Sequence, residues 1–212
     1  YNGGGASADT CLKISQLGES MGYPIKAVHV PKTVDNDLPI TDNCPGFGSV
    51  AKYIAVSTLE ATFDVASMAK TSTKVFVLEV MGRHAGWIAA AGAMASTKEM
   101  DLPILILFPE IAFDKAKFLA RVDGMVKKYG YCTVVVSEGV KGADGKFLSD
   151  QGLRDAFGHA QLGGVAPVIG FLLSRSLFGF RLKAIGGNPA AAELARLPII
   201  KYKFAAFIIC AA

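Results

Sequence analysis

Short runs of β-branched and other apolar residues alternate along the chain with longer stretches in which apolar positions recur every three or four residues. Ile25–Val30, Lys74–Val80, Pro103–Phe108 and Tyr131–Ser137 are nearly continuous apolar runs, the pattern of parallel strands buried on both faces. Amphipathic stretches lie around them. Ser7–Gly22 carries Ile14, Leu17 and Met21 at helical spacing, with Ser7 or Asp9 as its cap. Phe47–Ala69 is long and shows Tyr53, Val56, Leu59 and Phe63 on one face. Arg83–Ser96 is alanine-rich, and Lys115–Tyr129 aligns Phe118, Val122, Met125 and Val126. This alternation predicts an α/β fold, doubly wound, with a mainly parallel sheet and right-handed crossovers.

In such sheets ligands gather outside the carboxyl ends of the strands. The polar segments of this chain fall at those ends. Pro31–Asp37 follows the first strand, Met81-Gly82-Arg83 the second, Pro109-Glu110 the third and Glu138-Gly139 the fourth. Together they predict one shared cleft. From Phe178 onward the pattern frays into a loop signal, Gly186-Gly187-Asn188-Pro189, and a short apolar stub, Ala205–Ala212. No role is assigned to 178–212.

Composition narrows the class. A chain of 212 residues allows one large or two small domains. With 51% hydrophobic and 19% charged residues it is a folded chain, not a disordered one. A net charge of +4, with Lys and Arg scattered, argues against a nucleic-acid stripe and fits local anion sites. Cys11, Cys44, Cys132 and Cys210 lie far apart without metal-ligand spacing, so reduced thiols of a cytoplasmic protein are expected. The longest apolar stretches, such as Val165–Leu173, fall short of the ~18–20 residues of a membrane span. No signal peptide opens the chain. The opening Tyr1-Asn2-Gly3-Gly4 is a glycine-rich turn without the strand that such a turn follows, so a fragment of a longer protein is expected.

The segment 31–37, Pro-Lys-Thr-Val-Asp-Asn-Asp, has the groups that phosphoryl transfer requires. Asp35 and Asp37 can hold Mg²⁺ or accept a hydroxyl proton, Lys32 can neutralise phosphate charge, and Thr33 can hydrogen-bond oxygens. A polar turn capped by Asp and Asn accounts for the same residues. The other candidates divide in the same way. Met81 suits a core and Arg83 a helix cap. Glu138 ends a buried strand, where an unpaired carboxylate is costly, which favours a ligand role. His29 and His84 carry no motif and are read as structural, and Trp87 as packing.

Taken together, the motifs resemble the phosphofructokinases, most closely their pyrophosphate-dependent branch, over about residues 1–175. The likeness rests on the glycine-rich opening, Pro31–Asp37, Met81-Gly82-Arg83, Ser137-Glu138-Gly139 and Gly158-His159-Ala160-Gln161-Leu162-Gly163-Gly164. It implies a phosphofructokinase-like, Rossmann-like fold of two similar α/β subdomains with the active site in the cleft between them. Residues 1–100 would be part of the donor and catalytic subdomain, 101–177 part of the sugar-phosphate subdomain, and 178–212 an unassigned tail.

The resemblance also implies roles. Asp35 would be the general base for the sugar 1-hydroxyl, Asp37 would orient the site, and both would bind Mg²⁺. Thr33 would contact the substrate or the transferring phosphoryl group. Gly3, Gly4 and Gly5 would bind phosphate. Met81, Gly82 and Arg83 would bind fructose 6-phosphate, Glu138 its ring hydroxyls, and His159 its 6-phosphate. Lys74 would reach across a subunit interface in a homodimer or homotetramer. Lys32, where ATP-using relatives carry glycine, would block a nucleotide and favour pyrophosphate. Two positions depart from the family pattern. Ala6 stands where an aspartate is expected, and Leu162 replaces an arginine, as in one pyrophosphate-dependent subgroup. The expected activity is reversible transfer from pyrophosphate to fructose 6-phosphate, a glycolytic step. An ATP-dependent enzyme and a catalytically silent subunit of the same fold are the alternatives.

Overall fold

The computed structural model describes residues 1–154, 158, 160–175 and 206–210. Its first unit is a small strand–helix–strand crossover. β1 (Asn2–Gly3) leads through Gly4 into α1 (Gly5–Ser20), and the chain returns to β2 (Val30–Pro31), which pairs parallel with β1. The opening glycines therefore do follow a strand, a very short one. The predicted strand Ile25–Val30 shrinks to its last residue, Val30, and extends into Pro31, the two residues that pair with β1. α1 starts at N-cap Gly4 with no side-chain cap, so neither Ser7 nor Asp9 takes that role. Its apolar stripe is exposed: Ile14, Leu17 and Met21 all face outward.

The main body is a parallel sheet in the order β4 (Ile104–Leu107), β5 (Cys132–Ser137), β3 (Val75–Val80), β8 (Ala206–Cys210). The last of these strands arises from the stub to which the sequence assigned nothing. β3 and β5 are buried along their whole length, as their unbroken apolar runs require. Strand residues alternate between the faces. Phe76, Leu78 and Val80 pack with Ile54 and Val65 of α2 (Phe47–Met68) and Ile88 of α3 (Trp87–Ala91). Val75 and Val77, with Val134 and Val136 of β5, pack under Phe118, Val122 and Val126 of α4 (Lys115–Tyr129). Val165, Ile169 and Leu173 of α5 (Val165–Arg175) complete that layer. Helices on both faces make the fold doubly wound. A division at residue 100 would pass between hydrogen-bonded neighbours of this sheet, since β3 pairs directly with β5.

Two helices differ from expectation. α2 buries Ile54, Thr58, Thr62 and Val65, while Tyr53, Val56 and Phe63 are exposed. The buried stripe contains two threonines, and the hydroxyl of Thr62 is satisfied there. Thr62 Oγ1 lies 2.6 Å from the Thr58 carbonyl and 2.9 Å from Thr133 Oγ1 on β5. The predicted helix Arg83–Ser96 starts late and ends in a tighter turn, as α3 followed by a 3₁₀ segment at Gly92–Ala95. The Gly86 N–H is taken by Glu110 Oε1 at 2.7 Å, which fixes the helix start there. The remaining strands, β6 (Asp150–Arg154) and β7 (Ala160–Leu162), form an antiparallel pair ahead of α5. No described helix is long and apolar enough to cross a membrane.

The two faces of α2 give a direct test. Ile54→Ala is expected to cost about 2–5 kcal/mol in denaturant unfolding, and Tyr53→Ala less than about 0.5 kcal/mol. The reverse ranking would return the predicted face to the core.

Candidate active site

The register of β3 on β5, ending at Val80 opposite Ser137, brings two polar segments out of the sheet side by side. The Glu138 N–H donates to the Val80 carbonyl at 2.9 Å and extends the ladder by one bond. Ser137 then clamps both turns. Its hydroxyl donates to the Gly82 carbonyl and accepts from the Gly139 N–H. Gly82 has φ +124°, a conformation that glycine tolerates. Gly139 is packed so closely that a Cβ there would lie 1.9 Å from the Arg83 carbonyl oxygen. Arg83 and Glu138 are thereby fixed as neighbours. In the sequence Ser137 stands within a motif but carries no mark of this clamping role.

The third side comes from the small crossover. The Lys32 N–H donates to the Gly3 carbonyl at 2.9 Å, which holds the segment 31–37 beside the glycine-rich turn. Within the segment, the Asp35 N–H donates to Thr33 Oγ1 at 3.2 Å. Asn36 adopts φ +59°, and its Oδ1 accepts from the Cys44 N–H at 2.8 Å. Asn36 is thus a bracket for the loop that follows, and it turns the chain sharply between the two aspartates.

These segments enclose an open cavity of about 680 Å³. Gly3, Gly4, Gly5 and Ala6 line it from the glycine-rich turn, Thr33, Asp35 and Asp37 from the heptad, and Arg83 and Glu138 from the sheet. His29 and His84, read as structural from the sequence, line it as well. Their signal was adjacency alone: His29 lies two residues before Pro31, and His84 follows Arg83. Lys32 and Met81 are exposed beside the cavity without lining it, and Gly82 is buried behind Arg83. His159 lies outside the described residues. Lys74 is not brought here. It precedes β3 at the strand's opposite end, about 20 Å from Val80 at some 3.3 Å per residue, and it is buried. Glu110 also stays out, engaged on Gly86. Three of the four predicted strand ends therefore build the cleft.

Burial raises the Asp35 carboxyl above its ordinary value of 3.8, and the charges of Asp37 and Glu138 raise it further, against the opposing pull of Arg83 and His84. Asp35 Oδ1 is buried and has no hydrogen-bond partner among the described residues. Burial lowers the His84 imidazole, with Lys141 and Arg83 adding to the effect, so the neutral ring is favoured. A half-buried carboxylate with raised proton affinity and one free oxygen suits the acceptance of a hydroxyl proton. The guanidinium and backbone N–H groups nearby suit phosphate oxygens.

One supporting residue gave no sequence signal. Glu79, on β3 between apolar neighbours, is buried, and its Oε2 accepts from the Ala166 N–H at 2.9 Å. It caps α5 from another element and ties the Gly163-Gly164 turn to the strand that delivers Arg83.

The sequence profile described as "PFK: Phosphofructokinase" matches residues 1–179. A pyrophosphate–fructose 6-phosphate 1-phosphotransferase from Methylococcus capsulatus is 69% identical over 177 residues, covering 84% of this chain and 42% of the relative. One of the same name from Halomonas elongata is 70% identical with the same coverage. The crystal structure of a pyrophosphate-dependent phosphofructokinase from Nitrosospira multiformis superposes with a TM-score of 0.67 at 71% identity, over 84% of this chain and 41% of that one. The chain thus spans less than half the length of these relatives.

Two outcomes follow from this geometry. Gly139→Ala should destabilise the protein by more than about 2 kcal/mol, since backbone at Arg83 must give way; wild-type stability would mean that the two turns are not in contact. A carboxyl raised by folding contributes stability below its unfolded value and loses it as pH rises through the folded value. Without substrate or divalent cation, Asp35→Asn should therefore melt higher than wild type at pH 7, with the gap closing towards pH 4. An unchanged or lower melting temperature at pH 7 would contradict the raised value.

Proposed function

The chain belongs to the phosphofructokinase family, and from that premise we propose that the full gene product transfers a phosphoryl group from pyrophosphate to the 1-hydroxyl of fructose 6-phosphate. The observation that carries the reading is Asp35, a carboxylate of raised proton affinity with an unpartnered oxygen beside Arg83 and Glu138. The names of the relatives support the two substrates.

In this reading Asp35 takes the proton of the attacking hydroxyl, and in the reverse direction returns it. Thr33 holds the Asp35 backbone in place. Arg83 offsets charge on the phosphate oxygens, where its planar fork can bind two at once. Glu138 accepts hydroxyls of the sugar ring. The N–H groups at the start of α1, left without a side-chain cap, receive the donor phosphates. Lys32, whose backbone is tied to Gly3, is exposed beside the cavity without lining it, and its ammonium would meet the donor phosphates from the rim. Asp35 and Asp37 are the residues that would hold Mg²⁺, which neutralises phosphate charge when bound. Asp37 lines the cavity together with Asp35, and such a pair fits that ion, since Mg²⁺ commonly takes one or two carboxylates and fills its shell with water and substrate oxygens. Ala6 adds no third carboxylate, and the described residues contain no cluster of three or more candidate ligands. A cytoplasmic homodimer or homotetramer belongs to the same reading. Lys74 serves it only if a partner's cleft faces the far end of β3.

The donor is tested by assaying the full gene product with fructose 6-phosphate and either pyrophosphate or ATP. Fructose 1,6-bisphosphate is expected with pyrophosphate at a kcat/KM at least about a hundredfold higher, the discrimination that roughly 2.7 kcal/mol provides. Turnover with ATP alone would overturn the assignment.

A further inference from the structure

We propose that His29 is a donor-binding residue, with its Nε2–H holding a phosphate oxygen of pyrophosphate against the glycine-rich turn. This rests on the pyrophosphate reading above.

Position is the first reason. His29 immediately precedes β2, and the parallel pairing of Val30 with Asn2 sets this stretch alongside the strand that feeds the glycines. Both line the same cavity. The ends of this short ladder are well tied, since the Tyr1 backbone nitrogen lies 3.0 Å from the Val28 carbonyl oxygen and the Val30 N–H donates to the Tyr1 carbonyl at 2.9 Å. The imidazole is thus carried on a held backbone and not on a free loop.

The second reason is an unmet bond. His29 Nε2 is buried and has no hydrogen-bond partner among the described residues. Buried polar atoms are nearly always partnered, so an orphan on a residue that lines a cavity calls for a ligand or a held water. The other orphan on this wall is Asp35 Oδ1, the acceptor for the sugar side. One unmet acceptor and one nitrogen able to donate, in a single cavity, match a reaction with an attacking hydroxyl and a phosphate donor.

Charge is the third. Asp35, Asp37 and Glu138 make the cavity acidic, so a polyanionic donor needs donors around it. Arg83 stands at the sheet side with Glu138. On the glycine side the lining offers backbone N–H groups and His29, because Lys32 does not line the cavity.

Steady-state kinetics on the full gene product, with each substrate varied in turn, separate this role from a structural one. His29→Ala should raise KM for pyrophosphate about tenfold, the size of one lost hydrogen bond to a charged group, and leave KM for fructose 6-phosphate within about twofold. His29→Gln, which keeps a donor, should recover most of the loss. An unchanged KM for pyrophosphate, or equal rises in both KM values, would overturn the proposal. A second readout needs neither turnover nor a variant. In nitrogen NMR of the wild type, pyrophosphate alone should shift the His29 ring signal, and fructose 6-phosphate alone should not; no shift with pyrophosphate overturns the proposal. If the wild type turned over only with ATP, the function proposed above would fall, and the NMR titration would still decide whether His29 binds pyrophosphate.

Discussion

Val80 stands opposite Ser137, and the ladder between β3 and β5 runs one bond further, from the Glu138 N–H to the Val80 carbonyl. Everything on the sheet side of the cleft depends on that alignment. A shift of one residue would turn the side chains of one strand to the wrong face and separate Arg83 from Glu138. The register is secured by two apolar layers, one under α2 and α3 and one under α4 and α5. It is secured again at the strand ends by the Ser137 clamp on Gly82 and Gly139. Arg83 and Glu138 are therefore both held at the ends of the buried strands β3 and β5.

The glycine side is built on opposite terms. β1 and β2 pair over two residues only, and the apolar stripe of α1 is open. Its order comes from local hydrogen bonds: Lys32 on Gly3, Thr33 on Asp35, Asn36 on Cys44. Between the two sides sits Asp35, whose raised proton affinity is a cost to folding and an asset to a base. A carboxylate left half-buried near two others is tolerated because the Arg83 guanidinium opposes them.

Much of this was legible in the residues. The buried strands Val75–Val80 and Cys132–Ser137 read as continuous apolar runs because both faces are covered, and α4 matched its predicted bounds because Asp114 caps it and Gly130 ends it. On α2 apolarity is a poor guide to burial, since Thr58 and Thr62 occupy the inner face, Thr62 bonding its own turn and Thr133. In the site, the motifs carried Asp35, Asp37, Arg83 and Glu138 into one cavity. Periodicity and motif gave no hint of Glu79, Ser137 or Asn36 as brackets, since each works through a residue distant in sequence or through backbone atoms. His29 and His84 were legible only as neighbours of motifs.

The central claim is that Asp35 is the group that takes the hydroxyl proton. Its most direct test is Asp35→Ala in the full gene product, with turnover and substrate binding measured side by side. The account predicts a fall in kcat of roughly 10²–10⁴-fold, the usual contribution of a general base, with calorimetric binding of fructose 6-phosphate retained. Turnover within about tenfold of wild type, a loss smaller than that range, would contradict it.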